Sequence, residues 1–183
     1  MKYAALLFAI SLCGTTASLA NPAFSLQSSE IAPGATLSEA QVFNGFGCDG
    51  KNISPSLSWQ NPPKGTRSYA LTIYDPDAPT GSGWWHWVVF NIPATAHALP
   101  AGILADGKGL PAGAVQSLTD FGQPGFGGAC PPVGDKPHRY QFTLHALKVE
   151  KLDLPASSMP ALVGFMVHAN QLAETRITAH YGR

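Results

Sequence analysis

The chain has 183 residues, enough for one domain and short for two. Lys+Arg and Asp+Glu stand at 11 each, and charged residues make up only 12%, so no basic stripe or patch suits nucleic-acid binding. The 19 glycines and 16 prolines are scattered between apolar runs, a pattern of many short strands joined by turns.

Residues 1–20 read as a cleavable secretory signal peptide. Lys2 provides the positive start, Tyr3–Cys13 is almost wholly apolar, and Ser18-Leu19-Ala20 supplies small residues for cleavage after Ala20. That apolar run is too short to span a bilayer core of ~30 Å. A lipoprotein anchor at Cys13 would want Gly or Ala before it, and Leu12 stands there. Residues 21–183 form the expected single domain, periplasmic or secreted. No later segment is long and apolar enough for a transmembrane helix. The two cysteines left after cleavage, Cys48 and Cys130, are expected to form a disulfide in an oxidising compartment.

Phe24–Ile31 alternates weakly and predicts a first strand, ended by Pro33-Gly34. Glu39–Phe46 is a second extended candidate, running into Gly45-Phe46-Gly47-Cys48. Leu57-Ser58-Trp59 is a short strand before the turn Asn61–Gly65. Ser68–Tyr74 alternates cleanly and predicts a strand with one buried face. Trp85–Ile92 is aromatic and β-branched, hence a central strand. Residues 93–132 are irregular and rich in glycine, read as lid or wall material around a site. In the strand Arg139–Val149, Tyr140, Phe142, Leu144 and Ala146 share a face. Leu162, Phe165, Met166 and Ala169 recur at helical spacing, predicting one amphipathic helix within 160–176 that Ser157 or Ser158 could cap. Arg176–Tyr181 closes the chain as a last strand.

Three segments carry the candidate chemistry. Asp75-Pro76-Asp77-Ala78-Pro79 leaves a strong strand with its backbone stiffened by proline, holding two carboxylates at the exit. His86 opens the next strand, and alternation places it with Val88 and Phe90, opposite Trp87 and Val89. His138 and Tyr140 share a face about 7 Å apart along theirs. Arg139 points the other way, toward an ion-pair partner. Two imidazoles and a phenol can donate hydrogen bonds to an oxyanion, with the carboxylates orienting the imidazoles. Such a site weakens as pH rises above ~7. The same residues could serve a metal site of His86, His138 and Asp75 or Asp77, but no tight ligand spacing such as His-x-Glu-x-x-His is present. A hydrolase would need a nucleophile motif, and Gly-x-Ser-x-Gly is absent. The expectation is a binding protein without catalysis, cofactor or metal. His97, His145, His168 and His180 have no neighbours in sequence that point to function.

These segments, with His86-Trp87-Val88-Val89-Phe90-Asn91-Ile92-Pro93 and Gly134-Asp135-Lys136-Pro137-His138-Arg139-Tyr140, resemble the two signature regions of the phosphatidylethanolamine-binding protein (PEBP) family. That family includes the eukaryotic Raf kinase inhibitor proteins. Gly45-Phe46-Gly47-Cys48 and Phe126–Pro132 are closer to its bacterial YbhB/YbcL branch, and to exported YbcL-like members within it. The resemblance spans roughly Phe24 to Tyr181. It implies a mainly β fold, an antiparallel β-sandwich of Greek-key type with a few peripheral α-helices, one of them near the C-terminus. It also implies a small pocket for phosphate-type anions or phospholipid head groups. Residue by residue, that pocket maps onto Asp75, Asp77, Pro79, Trp84, His86, Pro132, His138 and Tyr140. Trp85 stands where animal members often carry a second histidine, and their longer C-terminal segment has no counterpart. Both departures argue against kinase inhibition. The alternative function is an inhibitor or signalling modulator of a protease, kinase or host partner, acting through the pocket and the loops, chiefly Gly107–Gly128. A homodimer stays open.

Overall fold

A computed structural model describes residues 22–183, so the expected signal peptide lies outside the described residues. Among the described residues, ten strands form three antiparallel sheets: β1 (Ser25–Gln27), β2 (Asn44–Gly45), β3 (Cys48–Asp49), β4 (Leu57–Gln60), β5 (Ser68–Asp75), β6 (Trp84–Pro93), β7 (Ala98–Leu99), β8 (Val115–Gln116), β9 (His138–Leu147) and β10 (Gln171–Tyr181). The main sheet runs β10-β9-β5-β6-β8, a second runs β1-β4-β7, and β2-β3 is a small hairpin. The core lies between the two larger sheets. Tyr69, Leu71 and Ile73 of β5, Phe142 and Leu144 of β9, Trp87 and Val89 of β6 and Trp59 of β4 meet there, almost wholly out of water.

A second apolar cluster covers the other face of the main sheet, where Ala70, Val88, Phe90 and Leu147 pack on Val163 and Val167 of the helix α1 (Pro160–Asn170). Strand β5 is therefore buried on both faces, not on one as its clean alternation predicts. The helix alters its own predicted face too. Val163 and Val167 point inward, while Leu162 and Phe165 are exposed. The segment is apolar around most of its circumference, so the periodicity did not single out one stripe; packing against the sheet did. Pro160 opens the helix after Met159, and neither Ser157 nor Ser158 caps it.

Among the described residues α1 is the single α-helix, where a few were expected. Glu39–Gln41 is a 3₁₀ turn rather than extended chain, because Ser38 accepts from the Ala40 amide and donates to Gln41 Oε1. The disulfide Cys48–Cys130 joins positions 82 residues apart and ties the β2–β3 hairpin to the long loop. No helix among the described residues is long and apolar enough to cross a membrane.

Candidate functional site

Strand β6 carries the feature that builds the site. It pairs with β5 as Ile73↔Trp87, then Tyr74↔Trp85 and Asp75↔Trp84, leaving His86 unpaired as the extra residue of a β-bulge. Strict alternation would send His86 outward with Val88 and Phe90. The bulge instead turns it to the inner face, edge-on to Tyr140 of β9, with ring centroids 5.1 Å apart. The backbone of Gly127 then clasps it: the Gly127 amide donates to the His86 carbonyl (2.9 Å), and His86 Nδ1 donates to the Gly127 carbonyl (2.8 Å). A Cβ at Gly127 would lie 2.2 Å from the Phe121 ring, so only glycine allows this approach.

The sites of Asp75 and Asp77 diverge at the strand exit. Asp75 is buried; its Oδ2 accepts from His138 Nδ1 (2.7 Å) and its Oδ1 from the Asp77 amide (2.8 Å). Asp77 turns outward onto Arg139, accepting from the amide (2.9 Å), Nε (2.8 Å) and Nη2 (2.6 Å). Hydrogen bonds from Arg139 hold the Asp77 carboxyl down to about 2. The other ring nitrogen of His138 faces Asp135 at 3.3 Å, so both its nitrogens are engaged by carboxylates.

These groups surround a cavity of about 140 Å³. Asp75, Pro79, Trp84, His86, Pro132, His138 and Tyr140 line it; Asp77 does not, and lines a shallow groove on the outer side with Arg139. The cavity floor is polar and its rim apolar. Phe121 reaches in from the glycine-rich loop and Phe46 from the β2–β3 turn, their rings 5.8 Å apart, with Trp84 edge-on to Phe121 at 5.4 Å. Cys130 and Pro131 complete the wall. Sequence reasoning did not name Phe46, Thr80 or Phe121 as site residues. Phe121 sits 35 residues from His86 in sequence and arrives because Asp120 accepts from the Trp85 amide (2.7 Å) and donates its own amide to the Trp85 carbonyl (3.1 Å). No local pattern announces that contact. Phe46 carries a weak signal, a bulky residue between two glycines, and adopts φ 54°.

The hydrogen-bond inventory sets what the cavity can do. The Tyr140 hydroxyl is buried and has no partner among the described residues. Burial, and the negative charge of Asp75, push its ionisation well above the ordinary tyrosine range, so it is a neutral donor. Burial also pushes His86 below the ordinary histidine value, against the opposing pull of the Gly127 carbonyl, Asp75, the Gly128 backbone and Asp120. With Nδ1–H committed to Gly127, neutral His86 keeps an unshared pair on Nε2. With Nδ1 of His86 on Gly127 and both nitrogens of His138 on carboxylates, Tyr140 is the unengaged donor of the three in this form. Among the described residues, no three His, Cys, Asp or Glu side chains gather as a metal site would require.

The sequence profile of the phosphatidylethanolamine-binding protein family matches residues 27–182. The chain is 58% identical over 160 residues to the UPF0098 protein YbcL of Escherichia coli K12, covering 87% of each. It is 50% identical over 156 residues to YbhB of the same organism, covering 85% of this chain and 98% of YbhB. The crystal structure of E. coli YbcL, described as a new member of the mammalian PEBP family, superposes with a TM-score of 0.86 at 56% identity, over 87% of this chain and 98% of that one.

Proposed function

The chain belongs to the phosphatidylethanolamine-binding protein family, and from that premise we propose that it is an exported binding protein, not an enzyme, whose cavity takes a small phosphate-type anion or phosphorylated head group. One observation carries this reading. Tyr140 lines a cavity of ligand size, and its buried hydroxyl has no hydrogen-bond partner among the described residues. An orphaned buried hydroxyl costs about 1–3 kcal/mol unless something supplies its acceptor, and an anionic oxygen is a strong one. The aromatic rim of Phe46, Trp84 and Phe121 suits the carbon portion of such a ligand. Export is supported by the N-terminal pattern of Lys2, Tyr3–Cys13 and Ser18-Leu19-Ala20, and by a disulfide that fits an oxidising compartment.

The test is titration of the purified, oxidised protein with phosphate and phosphoethanolamine, read by NMR of the histidine side chains. Saturable shifts at His86 and His138, lost in Tyr140→Phe, are expected. No response up to millimolar ligand would move the reading to a protein partner. Phe46 and Val133, 69% and 77% exposed, favour that second reading, since both stand in segments that wall the cavity. Capture of a partner that survives Tyr140→Phe but is lost in Phe46→Ser would establish it.

A further inference from the structure

The cavity holds an acceptor as well as a donor. His86 Nδ1 is bonded to a backbone carbonyl, which can only accept, so in the neutral ring the proton sits on Nδ1 and Nε2 carries the lone pair. Nε2 makes no hydrogen bond to the described residues. The charged or titratable groups around it are Asp75 from β5, His138 and Tyr140 from β9, and Asp120 from the long loop. None of the cavity-lining residues is Lys or Arg. Asp75 already engages His138 and the Asp77 amide, and His138 faces a second carboxylate at Asp135. A fully ionised phosphate would thus meet a buried carboxylate and a lone pair, with no Lys or Arg on the cavity wall to hold it.

We infer that the cavity takes its ligand in a proton-bearing form: a phosphomonoester monoanion that donates its P–OH to His86 Nε2 while one of its other oxygens accepts from Tyr140. This rests on the reading of the cavity as an anion site, and it narrows that site. The same chemistry excludes anions with no acidic hydroxyl. Sulfate esters are the sharpest case, because a sulfate monoester matches a phosphate monoester monoanion in charge and nearly in shape but has nothing to donate. Phosphodiesters such as intact lipid backbones lack the hydroxyl as well. Specificity of this kind is strong because the wrong ligand leaves a buried acceptor facing an anionic oxygen. Burial favours the neutral imidazole, so the proton stays on the ligand.

The experiment compares methyl phosphate, methyl sulfate and dimethyl phosphate by calorimetric titration of the purified, oxidised protein at pH 6.0 and 8.0. Methyl phosphate is expected to bind at least tenfold more tightly than either of the others at pH 6.0. Its affinity is expected to fall about 50-fold by pH 8.0, as a second ionisation near pH 6 removes the hydroxyl. In ¹⁵N-detected spectra of the complex, His86 Nε2 should stay an unprotonated, hydrogen-bond-accepting nitrogen. Methyl sulfate within threefold of methyl phosphate, or an imidazolium signal at His86 in the complex, overturns the inference and leaves the anion site standing. If dimethyl phosphate alone matches methyl phosphate, the site reads a lipid-like diester and the inference fails. Binding of none of the three overturns both the inference and the anion reading beneath it.

Discussion

Two histidines are buried on opposite faces of the same sheet, and they have opposite fates. His145, on the outer face beneath α1, bonds Gln171 Oε1 through Nδ1 at 2.7 Å, with Glu174 at 3.5 Å, and reaches the Thr72 hydroxyl through Nε2 at 3.3 Å. Every polar atom of that ring has a protein partner. His86, on the inner face, is tied at one nitrogen and open at the other, beside a tyrosine hydroxyl with no hydrogen-bond partner among the described residues. Burial and a lowered proton affinity are common to both. Unfilled hydrogen-bonding capacity next to a cavity separates the candidate site from the structural network.

The largest effect expected to test this contrast is removal of the tether on the inner side. A Cys48→Ser/Cys130→Ser variant frees a loop of 82 residues, which the chain-entropy model values at roughly 4–5 kcal/mol. Urea unfolding should register most of that loss, and ligand affinity should fall with it because Cys130 is part of the cavity wall. The pH titration of His145 should not move. Asp75→Ala comes next. It strips His138 of a buried carboxylate, with an expected loss of about 3 kcal/mol in the same measurement. Glu174→Ala beneath α1 removes a half-exposed partner and should cost far less.

Acid should weaken both faces alike. Burial lowers the folded proton affinity of His86 and His145 below the unfolded value near 6.5. The unfolded chain therefore binds more protons between those values, so their contribution is full above about pH 6.5 and is lost as pH falls toward the folded values. The slope is at most about 1.4 kcal/mol per pH unit for each ring. Unfolding midpoints between pH 5 and 7.5 should show it, and His145→Gln should remove about half. An unchanged slope in that variant would assign the acid sensitivity to other groups.

The smallest pair of effects separates the two faces most clearly. Tyr140→Phe removes a hydroxyl that bonds none of the described residues, so stability should hold or rise by up to about 1 kcal/mol, while ligand affinity falls about tenfold or more. Thr72→Val on the other face takes a partner from His145 and should lower stability by about 1 kcal/mol without touching ligand affinity. Reversal of either result would mean that the roles of the two networks had been exchanged.

Much of this protein was legible in its residues because the signals are local. Period-two alternation placed β5 and β9 and put Tyr140, Phe142 and Leu144 on one face, and the motifs around Asp75, His86 and His138 were enough to indicate the family. Proline stiffness marked the strand exit that carries Asp75. Other features depended on neighbours remote in sequence. Alternation alone aims His86 at the wrong face, and only the pairing of β6 with β5 reveals the bulge that turns it inward. Asp75 and Asp77 look equivalent two residues apart, yet one ends in the cavity and the other on Arg139. Phe121 enters the site through hydrogen bonds between Asp120 and Trp85, 35 residues away. A strand's periodicity is written in its own residues. The register of its pairing, and the hydrogen bonds left unfilled once every partner is placed, are properties of the assembled sheet.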